Sequence, residues 1–319
     1  MIVTFTPNPS LDRTARLEGR LVRGGVNRLG QATGQPGGKG VNVARAAHLA
    51  GAPTLAVLPA DAGDPVLAGL DALGLPYRNV PTGNPVRANL TLTEADGTTS
   101  KFNEPGAALD AEQVTACVEQ LTEAAREADW VALCGSLPPG APADWYPQLV
   151  AALRPLGVRI AVDTSDAPLQ ALAAALPEAA PDLIKPNSEE LGQIVGADGL
   201  ALEAQAAASN WAPVLEAARG LVQQGVGAVL VTLGGSGALL VTADGAWHAT
   251  PPPIEVASTV GAGDSSLTGY LLAEREGLDA PERLRRAVAY GSGAAALPGS
   301  SLPSPEQTTP DAVVVTPVS

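Results

Sequence analysis

The sequence predicts an α/β protein in which a mostly parallel β-sheet carries helices on both faces, with a small second β-sheet beside it. From Thr54 onward, short apolar runs alternate with segments of helical periodicity, which is the pattern of consecutive βαβ units. Residues 86–103 break this rhythm, because they alternate with a period of two around a turn at Ala95-Asp96-Gly97. That pattern predicts a hairpin. The polar segment 10–38 indicates exposed strands and turns that could join the hairpin in a separate sheet.

The elements of the larger sheet follow from the turn residues that bound each apolar run. A strand at 2–6 is ended by Pro7-Asn8-Pro9, and a helix of small residues over 41–50 is ended by Gly51. The same reasoning applies along the rest of the chain. We expect further strands at 54–58, 77–80, 130–134, 159–162, 182–184, 228–232, 238–241 and 313–315. We expect further helices at 64–73, 110–127, 145–154, from 188, 210–224, 267–276 and 282–296.

The charge of the chain limits the partners it can have. A net charge of −14 argues against nucleic acid or an acidic membrane surface as a partner. It would also repel a phosphorylated substrate, so a phosphate site would need local, well-aimed cations. Of the 19 basic residues only three are lysine, Lys39, Lys101 and Lys185, and each lies in a stretch that is singled out on other grounds below.

The N-terminus and the cysteines indicate a cytoplasmic protein without structural metal or disulfides. Cys117 and Cys134 lie in apolar surroundings and are expected to be buried and inert, and no CxxC or Cys/His cluster suggests zinc. The N-terminus lacks a basic region and an apolar stretch long enough for a signal peptide. The longest uncharged run, 226–243, is interrupted by Gly234-Gly235-Ser236-Gly237 and therefore predicts two strands around a turn, not a membrane span.

The segment Ser258–Ser266 carries the strongest chemical signal. It is a glycine-containing loop that runs directly into an apolar helical pattern, so unpaired backbone N–H groups and the positive end of a helix dipole would meet there. Gly261 and Gly263 leave room for an anion to reach those amides. Asp264 stands in the middle of this anion site. It is either the N-cap of the helix or a general base beside an anion hole.

Three further motifs directly follow predicted strands, which places them on one rim of the sheet, where ligands bind in parallel α/β proteins. They are Gly135–Gly140, Lys185–Glu190 and Gly234–Gly237. Acids and an asparagine near a phosphate site suit Mg²⁺, which is held by few carboxylates, by water and by the phosphates themselves. Phosphoryl transfer needs positioning, charge neutralisation and a group that deprotonates the attacking hydroxyl. Asp264 suits that role, and the amides of Ala262 and Gly263 would stabilise the charge on the transferring group.

Other motifs carry no function in this interpretation. The glycines around Lys39 do not form a Walker A loop, because Gly40 stands where that pattern needs Ser or Thr. Residues 291–296 match a loose dinucleotide fingerprint, but a helical pattern precedes them where a strand is needed, so they predict tight helix packing. His48 and His248 have no partners that suggest a catalytic triad.

The chain resembles the ribokinase-like, PfkB-type carbohydrate kinases over essentially its whole length. The resemblance is carried by Gly37–Ala44 and Ser258–Ser265, which look like the two signatures of the family, and by four shorter motifs. These are Thr6–Asp12, Gly135–Gly140, Lys185–Glu190 and Thr232–Gly237. Within the family, Thr6–Asp12 and Phe102–Gly106 are similar to the branch that phosphorylates sugar phosphates, which includes 1-phosphofructokinases and tagatose-6-phosphate kinases.

The resemblance implies a fold, a reaction and an assembly. The fold is a single Rossmann-type α/β sandwich over 1–319, in which about 10–36 and 86–104 form a β-sheet lid. The reaction is ATP-dependent phosphorylation of a ketose phosphate, with fructose 1-phosphate and ATP giving fructose 1,6-bisphosphate and ADP. The implied cofactors are ATP and Mg²⁺, with a monovalent cation as a further possibility. The implied assembly is a homodimer through the lid.

The resemblance also implies roles for individual residues. Asp264 would be the general base, beside the anion hole of Gly261, Ala262 and Gly263. The acceptor sugar would be held by Asp12, Gly37, Gly38 and Asn42, and its existing phosphate by Arg87 and Lys101, with Ser136 and Lys39 nearby. ATP and Mg²⁺ would be bound by Lys185, Asn187, Thr232, Gly234, Gly237 and Glu190, with Glu190 as the metal ligand.

The acceptor is less well indicated than the reaction. Where many members of the family have a glycine-rich stretch bordering the sugar, this chain has Leu55–Ala60. Tagatose 6-phosphate and fructose 6-phosphate are therefore alternative acceptors. A sugar-phosphate sensor without catalysis is a further alternative, although a binding protein has no need of a base such as Asp264. A dehydrogenase is disfavoured, because no dinucleotide fingerprint follows a predicted strand.

Overall fold

The computed structural model describes all residues from Met1 to Ser319, and it contains a ten-stranded sheet and a separate four-stranded sheet. The strands are β1 (Ile2–Phe5), β2 (Ser10–Arg16), β3 (Thr33–Gly37), β4 (Thr54–Pro59), β5 (Tyr77–Val80), β6 (Arg87–Thr93), β7 (Thr99–Asn103), β8 (Trp130–Cys134), β9 (Arg159–Asp163), β10 (Leu183–Ile184), β11 (Ala228–Thr232), β12 (Ala238–Thr242), β13 (Gly245–Thr250) and β14 (Val314–Pro317). The helices are α1 (Lys39–Leu49), α2 (Pro65–Ala72), α3 (Ala111–Ala125), α4 (Trp145–Leu153), α5 (Asp166–Ala174), α6 (Ser188–Val195), α7 (Gly199–Ala207), α8 (Ala212–Gln223), α9 (Ala262–Arg275) and α10 (Ala280–Ala295).

The large sheet has the order β14-β13-β12-β11-β10-β9-β8-β1-β4-β5. The strands from β5 to β11 in this order are all parallel, and β12, β13 and β14 extend the sheet in antiparallel fashion. Because parallel strands end on the same edge, the residues that follow β1, β8, β9, β10 and β11 meet on one rim. The prediction of a mostly parallel sheet and of a terminal strand near 313–315 is confirmed.

Helices cover both faces of the large sheet, and each face has its own apolar core. On one face, Leu121 of α3, Tyr146 of α4 and Leu215 of α8 belong to a buried cluster with the sheet residues that point to them. On the other face, Val43 of α1, Leu271 of α9 and Leu284 of α10 do the same. Strands buried on both sides explain why the sequence shows continuous apolar runs there. Cys117 and Cys134 are free and buried, as expected.

The small sheet has the order β3-β2-β6-β7, and its register separates a polar face from an apolar one. Asp12 pairs with Asn89 of β6 and with Gln35 of β3, so these three polar residues share a face. On the opposite face Leu90 pairs with Phe102. Ala15, Leu17 and Leu92 form a small core of their own on this sheet. The predicted pairing of the hairpin with the segment 10–38 is confirmed.

The structure corrects four details of the secondary structure. Helices α5 and α7 and strand β13 were not predicted. Helix α9 begins at Ala262, five residues before the predicted 267, because its first turn consists of small and polar residues and carries no apolar pattern. None of the ten helices combines the length and the apolar character needed to cross a bilayer.

Candidate active site

Asp264 lies in the first turn of α9, where its carboxylate faces the rim of the sheet. The N-cap of the helix is Gly261, whose left-handed φ of 78° a glycine adopts without strain. The alternative that Asp264 is itself the N-cap is therefore wrong. Its side chain is buried and accepts a hydrogen bond of 2.8 Å from Nδ2 of Asn42. The predicted anion-hole residues Gly261, Ala262 and Gly263 lie directly before it.

Two glycines directly before α1 pass close to other parts of the chain. Gly38 is the N-cap of α1 with φ 104°, and a Cβ there would lie 2.8 Å from Cγ2 of Thr6. A Cβ on Gly37 would lie 2.1 Å from Oδ2 of Asp12. Any larger residue at these two positions would push α1 or the small sheet away. The glycines therefore bring Asp12 and Asn42 to the same site.

A buried carboxylate that the sequence analysis did not single out organises the lysines. Asp163, at the end of β9, is fully buried and accepts a hydrogen bond of 2.7 Å from Nζ of Lys39, while Nζ of Lys185 lies 3.1 Å from its other oxygen. Lys39 Nζ is also 3.6 Å from Oε1 of Glu190. Two of the three lysines of the chain thus meet at one carboxylate. The signal in the sequence was an aspartate directly after a buried strand.

Lys185 also lies beside the start of α9. A Cβ added to Gly263 would be 3.1 Å from Nζ of Lys185, so the ammonium group borders the backbone at the N-terminus of the helix. A cation and free helix amides at one point form a strong anion site. The structure thus brings Lys185, from the motif Lys185–Glu190, next to Gly263 and Asp264 of the segment Ser258–Ser266.

The charges around Asp264 affect its protonation. Burial, and then the neighbouring charge of Asp163, raise the pKa of Asp264 to about 6, although Lys39, the Asn42 hydrogen bond and Lys185 act in the opposite direction. Burial would lower the pKa of Lys39, but Asp163, Glu190 and Asp264 outweigh it and raise that pKa above its ordinary value. Asp264 is therefore ionised at neutral pH yet basic enough to accept a proton.

The predicted phosphate-binding cations of the small sheet do not meet in this structure. Arg87 donates hydrogen bonds to the carbonyl oxygens of Glu104 and Asn8, at 2.9 and 3.1 Å. Lys101 is exposed and pairs with Thr91, four residues along β6 from Arg87, or about 13 Å at the usual rise of a strand. Both residues lie on the polar face that carries Asp12, so only their long side chains could bring the two charges together.

Ser136 lies on the loop after β8. It is exposed, and its Oγ accepts a hydrogen bond of 3.3 Å from Nδ2 of Asn8. The loop turns at Gly135, whose carbonyl oxygen accepts hydrogen bonds from the hydroxyls of Tyr146 and Thr164. Asn8 thus connects the loop of Ser136 to Arg87 of the small sheet.

Four of the five residues predicted to bind a nucleotide line one open cleft of about 680 Å³, and the fifth, Lys185, lies beside it next to Gly263. Asn187, Thr232, Gly234 and Gly237 lie along it, together with Ala262 and Gly263. Gly237 has φ 92°, and a Cβ there would lie 1.9 Å from the carbonyl oxygen of Ala249, so only glycine fits. The far wall is apolar and comes from the turn after β13 and from α10, at Pro252, Pro253, Ile254, Val256, Val288 and Ala295. A volume of this size and one apolar wall suit a nucleotide.

Glu190, the predicted metal ligand, is part of a capping box at the start of α6. Its Oε2 accepts from the backbone N–H of Asn187, and the side chain of Asn187 accepts from the N–H of Glu190. The other oxygen of Glu190 faces Lys39. No group of three or more His, Cys, Asp or Glu side chains in the chain is arranged to hold a metal ion. The donor set therefore fits Mg²⁺ only as an ion held largely by phosphate oxygens and water.

Comparison with known proteins agrees with this geometry. The profile of the pfkB family carbohydrate kinases matches residues 8–307. The chain is 38% identical to a 1-phosphofructokinase of Rhodobacter capsulatus, over 99% of this chain and 96% of the relative. It is 36% identical to the ATP-dependent 6-phosphofructokinase isozyme 2 of Escherichia coli, over 96% of both.

A solved structure of phosphofructokinase-2 from Escherichia coli in complex with potassium superposes with a TM-score of 0.85, at 31% identity and with 96% of each chain covered. The match extends over both sheets of the fold, since almost the whole of each chain is included. The large mixed sheet flanked by helices, with a smaller separate sheet, is thus the ribokinase-like fold that the sequence predicts. The chain belongs to the pfkB family of carbohydrate kinases, which makes it a phosphotransferase.

Proposed function

We propose that this protein is an ATP-dependent kinase that phosphorylates fructose 1-phosphate on its 6-hydroxyl, giving fructose 1,6-bisphosphate and ADP. The observation that carries the proposal is the position of Asp264. Its buried carboxylate, with a pKa of about 6, contacts Asn42 of α1 and directly follows Ala262 and Gly263, which line the open cleft. An acceptor hydroxyl on one side and a triphosphate on the other would meet there.

In the proposed reaction, the hydroxyl oxygen of the acceptor attacks the terminal phosphorus of ATP while Asp264 takes the hydroxyl proton. The bond from that phosphorus to the bridging oxygen breaks, and ADP leaves with the bonding electrons. The amides of Gly261, Ala262 and Gly263, with the ammonium of Lys185 beside them, would stabilise the charge on the phosphoryl group in the transition state. Asn42 would keep Asp264 ionised and oriented by its hydrogen bond.

The acceptor would be held by the small sheet, acting as a lid, and by the start of α1. Asp12 and Asn42 can accept and donate hydrogen bonds to sugar hydroxyls. Gly37 and Gly38, which lack a Cβ, let Asp12 and Thr6 pack against the chain directly before α1. The existing phosphate of the substrate would be bound by Arg87 and Lys101, with Ser136 close by. Because Arg87 and Lys101 lie on the same sheet, we propose that their long side chains turn toward the phosphate as the small sheet closes over the acceptor.

The cleft would hold ATP, with its base against the apolar wall and its phosphates toward Asn187, Thr232, Gly234 and Gly237. Mg²⁺, when bound, would neutralise phosphate charge and orient the terminal phosphoryl group. Glu190 and Asn187 would hold it through water or directly. Lys39 and Lys185 would add the local cations that a chain of net charge −14 needs to attract a nucleotide.

A second acceptor is favoured by a specific observation, the 36% identity to a 6-phosphofructokinase from Escherichia coli. Fructose 6-phosphate, or the related tagatose 6-phosphate, would use the same base and nucleotide site with the sugar reversed. A sensor without catalysis on the same fold remains the alternative from another class.

The exposed apolar side of the small sheet, where Phe102 is 49% exposed, supports a homodimer through the lid.

Two further parts of the proposal concern the surroundings of the reaction. The protein would also bind a monovalent cation such as potassium, as the potassium complex of phosphofructokinase-2 from Escherichia coli suggests. The reaction would take place in the cytoplasm, where ATP and sugar phosphates are available together.

The proposal is tested by measuring ADP release from MgATP with fructose 1-phosphate, fructose 6-phosphate, tagatose 6-phosphate and free fructose. We expect the highest kcat/KM for fructose 1-phosphate. A preference for another ketose phosphate would change the acceptor and leave the mechanism intact. Turnover of free fructose alone would contradict the roles of Arg87 and Lys101. Binding of a sugar phosphate without any ADP release would favour the sensor.

A further inference from the structure

Arg45, on α1, is a charged residue for which the proposed reaction has no role. Its side chain donates three hydrogen bonds: Nη1 to the carbonyl oxygen of Pro36 at 2.9 Å and to Oδ1 of Asn42 at 3.4 Å, and Nη2 to Oε1 of Gln35 at 2.8 Å. Two of these partners belong to β3, the edge strand of the small sheet, and the third contacts Asp264. The guanidinium thus connects the small sheet to the proposed base.

The contact with Asn42 has a specific consequence, because a guanidinium can only donate hydrogen bonds. The oxygen of the Asn42 amide must therefore face Arg45, and its NH₂ group must face Asp264, where Nδ2 donates across 2.8 Å. Rotating the amide by half a turn would place NH₂ against the guanidinium and an oxygen against the carboxylate. Both contacts would then be repulsive.

We propose that Arg45 is a positioning residue that holds the amide of Asn42 toward Asp264, while its other hydrogen bonds attach α1 to strand β3. The planar guanidinium of Arg45 has five N–H donors, so it can bind the carbonyl oxygen of Pro36 and the side-chain oxygens of Gln35 and Asn42 at the same time. A lysine keeps the charge but cannot repeat this geometry. The inference rests on the proposed function, in which Asp264 is the base.

Other charges around the site must be considered before a pH effect is assigned to Arg45. Asp264 faces Asp163 at the end of β9, Lys39 on α1 and Lys185 after β10. Arg45 faces Asp12 of β2. None of these four groups is altered when Arg45 is replaced, so a change in the titration of Asp264 reports the Asn42 contact. Losing a hydrogen bond to the ionised form should raise the pKa of that carboxyl.

The test is the pH dependence of kcat/KM for the acceptor in Arg45→Lys. The acidic limb is the part of the profile in which kcat/KM falls as the pH is lowered. We expect its midpoint to rise by about one pH unit, which corresponds to losing one hydrogen bond to a charged group. The loss of activity would then be about five-fold at pH 6 from titration alone and would nearly vanish at pH 8.5. A loss of equal size at every pH, with an unmoved limb, would mean that Arg45 has only a structural role and would overturn the inference.

Two controls separate the Asn42 contact from its alternatives. Gln35→Ala removes a partner on β3 and leaves the Arg45–Asn42 contact in place, so we expect a raised KM for the acceptor with little movement of the limb. A limb that moves as far as in Arg45→Lys would assign the effect to β3 and overturn the inference. Arg154→Lys, which also loses a carboxylate and a carbonyl partner far from the site, should leave the profile unchanged.

A double-mutant cycle tests whether Arg45 acts through Asn42. In an Asn42→Ala background, Arg45→Lys should cause no further shift of the acidic limb. A full additional shift would contradict the proposal that Arg45 acts through Asn42. If Arg45→Lys does not fold, Arg45→Met keeps the aliphatic stem without the donors and should show the same shift. Activity that survives Asp264→Asn unchanged would overturn the proposed function and this inference together. Asp264-dependent activity with an unmoved limb would overturn only the inference.

Discussion

Asn42 and Asp264 are 222 residues apart in the chain, yet the amide of one donates a hydrogen bond of 2.8 Å to the carboxylate of the other. The first lies on α1 and the second on α9, two helices that pack on the same face of the large sheet. Both residues are buried. This contact joins the two regions that carry the strongest sequence signals, and it places a carboxylate of raised pKa at the rim.

The rate should depend on pH through Asp264. Because its pKa is raised to about 6, the fraction of ionised base falls as the pH drops through 6, and kcat/KM should fall tenfold per pH unit below that value. A profile measured from pH 4.5 to 9 with saturating MgATP checks this. A limb near pH 4, where an ordinary aspartate titrates, would contradict the assignment.

Replacing the same residue should stabilise the protein. In the unfolded chain Asp264 ionises near its ordinary value of 3.8, whereas in the folded protein it keeps its proton up to about pH 6. Folding is therefore weakened as the pH rises through this window, and the cost remains above it. Asp264→Asn should raise the free energy of unfolding at pH 8 by an amount on the order of 1–3 kcal/mol. Urea unfolding at pH 8 and at pH 4 measures it, and a gain that does not shrink at pH 4 would contradict this cause.

Asp163→Asn should have the opposite effect on stability. It leaves the ammonium groups of Lys39 and Lys185 without their buried carboxylate, which we expect to cost about 3 kcal/mol. The acidic limb should move down, because the charge of Asp163 raises the pKa of Asp264. Asp129→Asn is a matched control, since Asp129 also binds two cations, Met1 and Arg275, but is half exposed. Its loss should cost no more than about 1 kcal/mol. Equal costs for the two variants would show that burial of Asp163 does not matter.

Gly263→Ala should lower activity without unfolding the protein. Its new Cβ would lie 3.1 Å from Nζ of Lys185 and would fill space at the start of α9, so we expect kcat to fall at least about tenfold. Gly220→Ala in α8 is the control, because nothing lies within 4 Å of its Cβ. It should keep full activity and gain roughly 0.5–1 kcal/mol of stability. Steady-state kinetics and thermal unfolding of both variants measure these effects. Full activity of Gly263→Ala would contradict the prediction that a Cβ at this position fills space in the anion hole.

The order of the strands and most helices could be predicted because each element carries its own periodicity. Helix α7 could not, because it is short and largely exposed, and Leu200 at its start is 75% exposed. The start of α9 was missed for another reason: its first turn consists of small and polar residues, so the apolar pattern begins only at Leu267. The local motifs gave Asp264, Asn42 and the lysines. The contacts of Lys39 and Lys185 with Asp163 join residues that are 124 and 22 positions apart in the chain, and no local pattern encodes such contacts.

The measurement that tests the central claim most directly is kcat for fructose 1-phosphate with saturating MgATP in Asp264→Asn. The account predicts that kcat falls by about 10²–10⁴-fold, since a positioned general base is lost. It also predicts that the variant stays folded, with a melting temperature no lower than that of the wild-type protein. A folded variant whose kcat remains within about twofold of wild type would contradict the proposal that Asp264 deprotonates the acceptor.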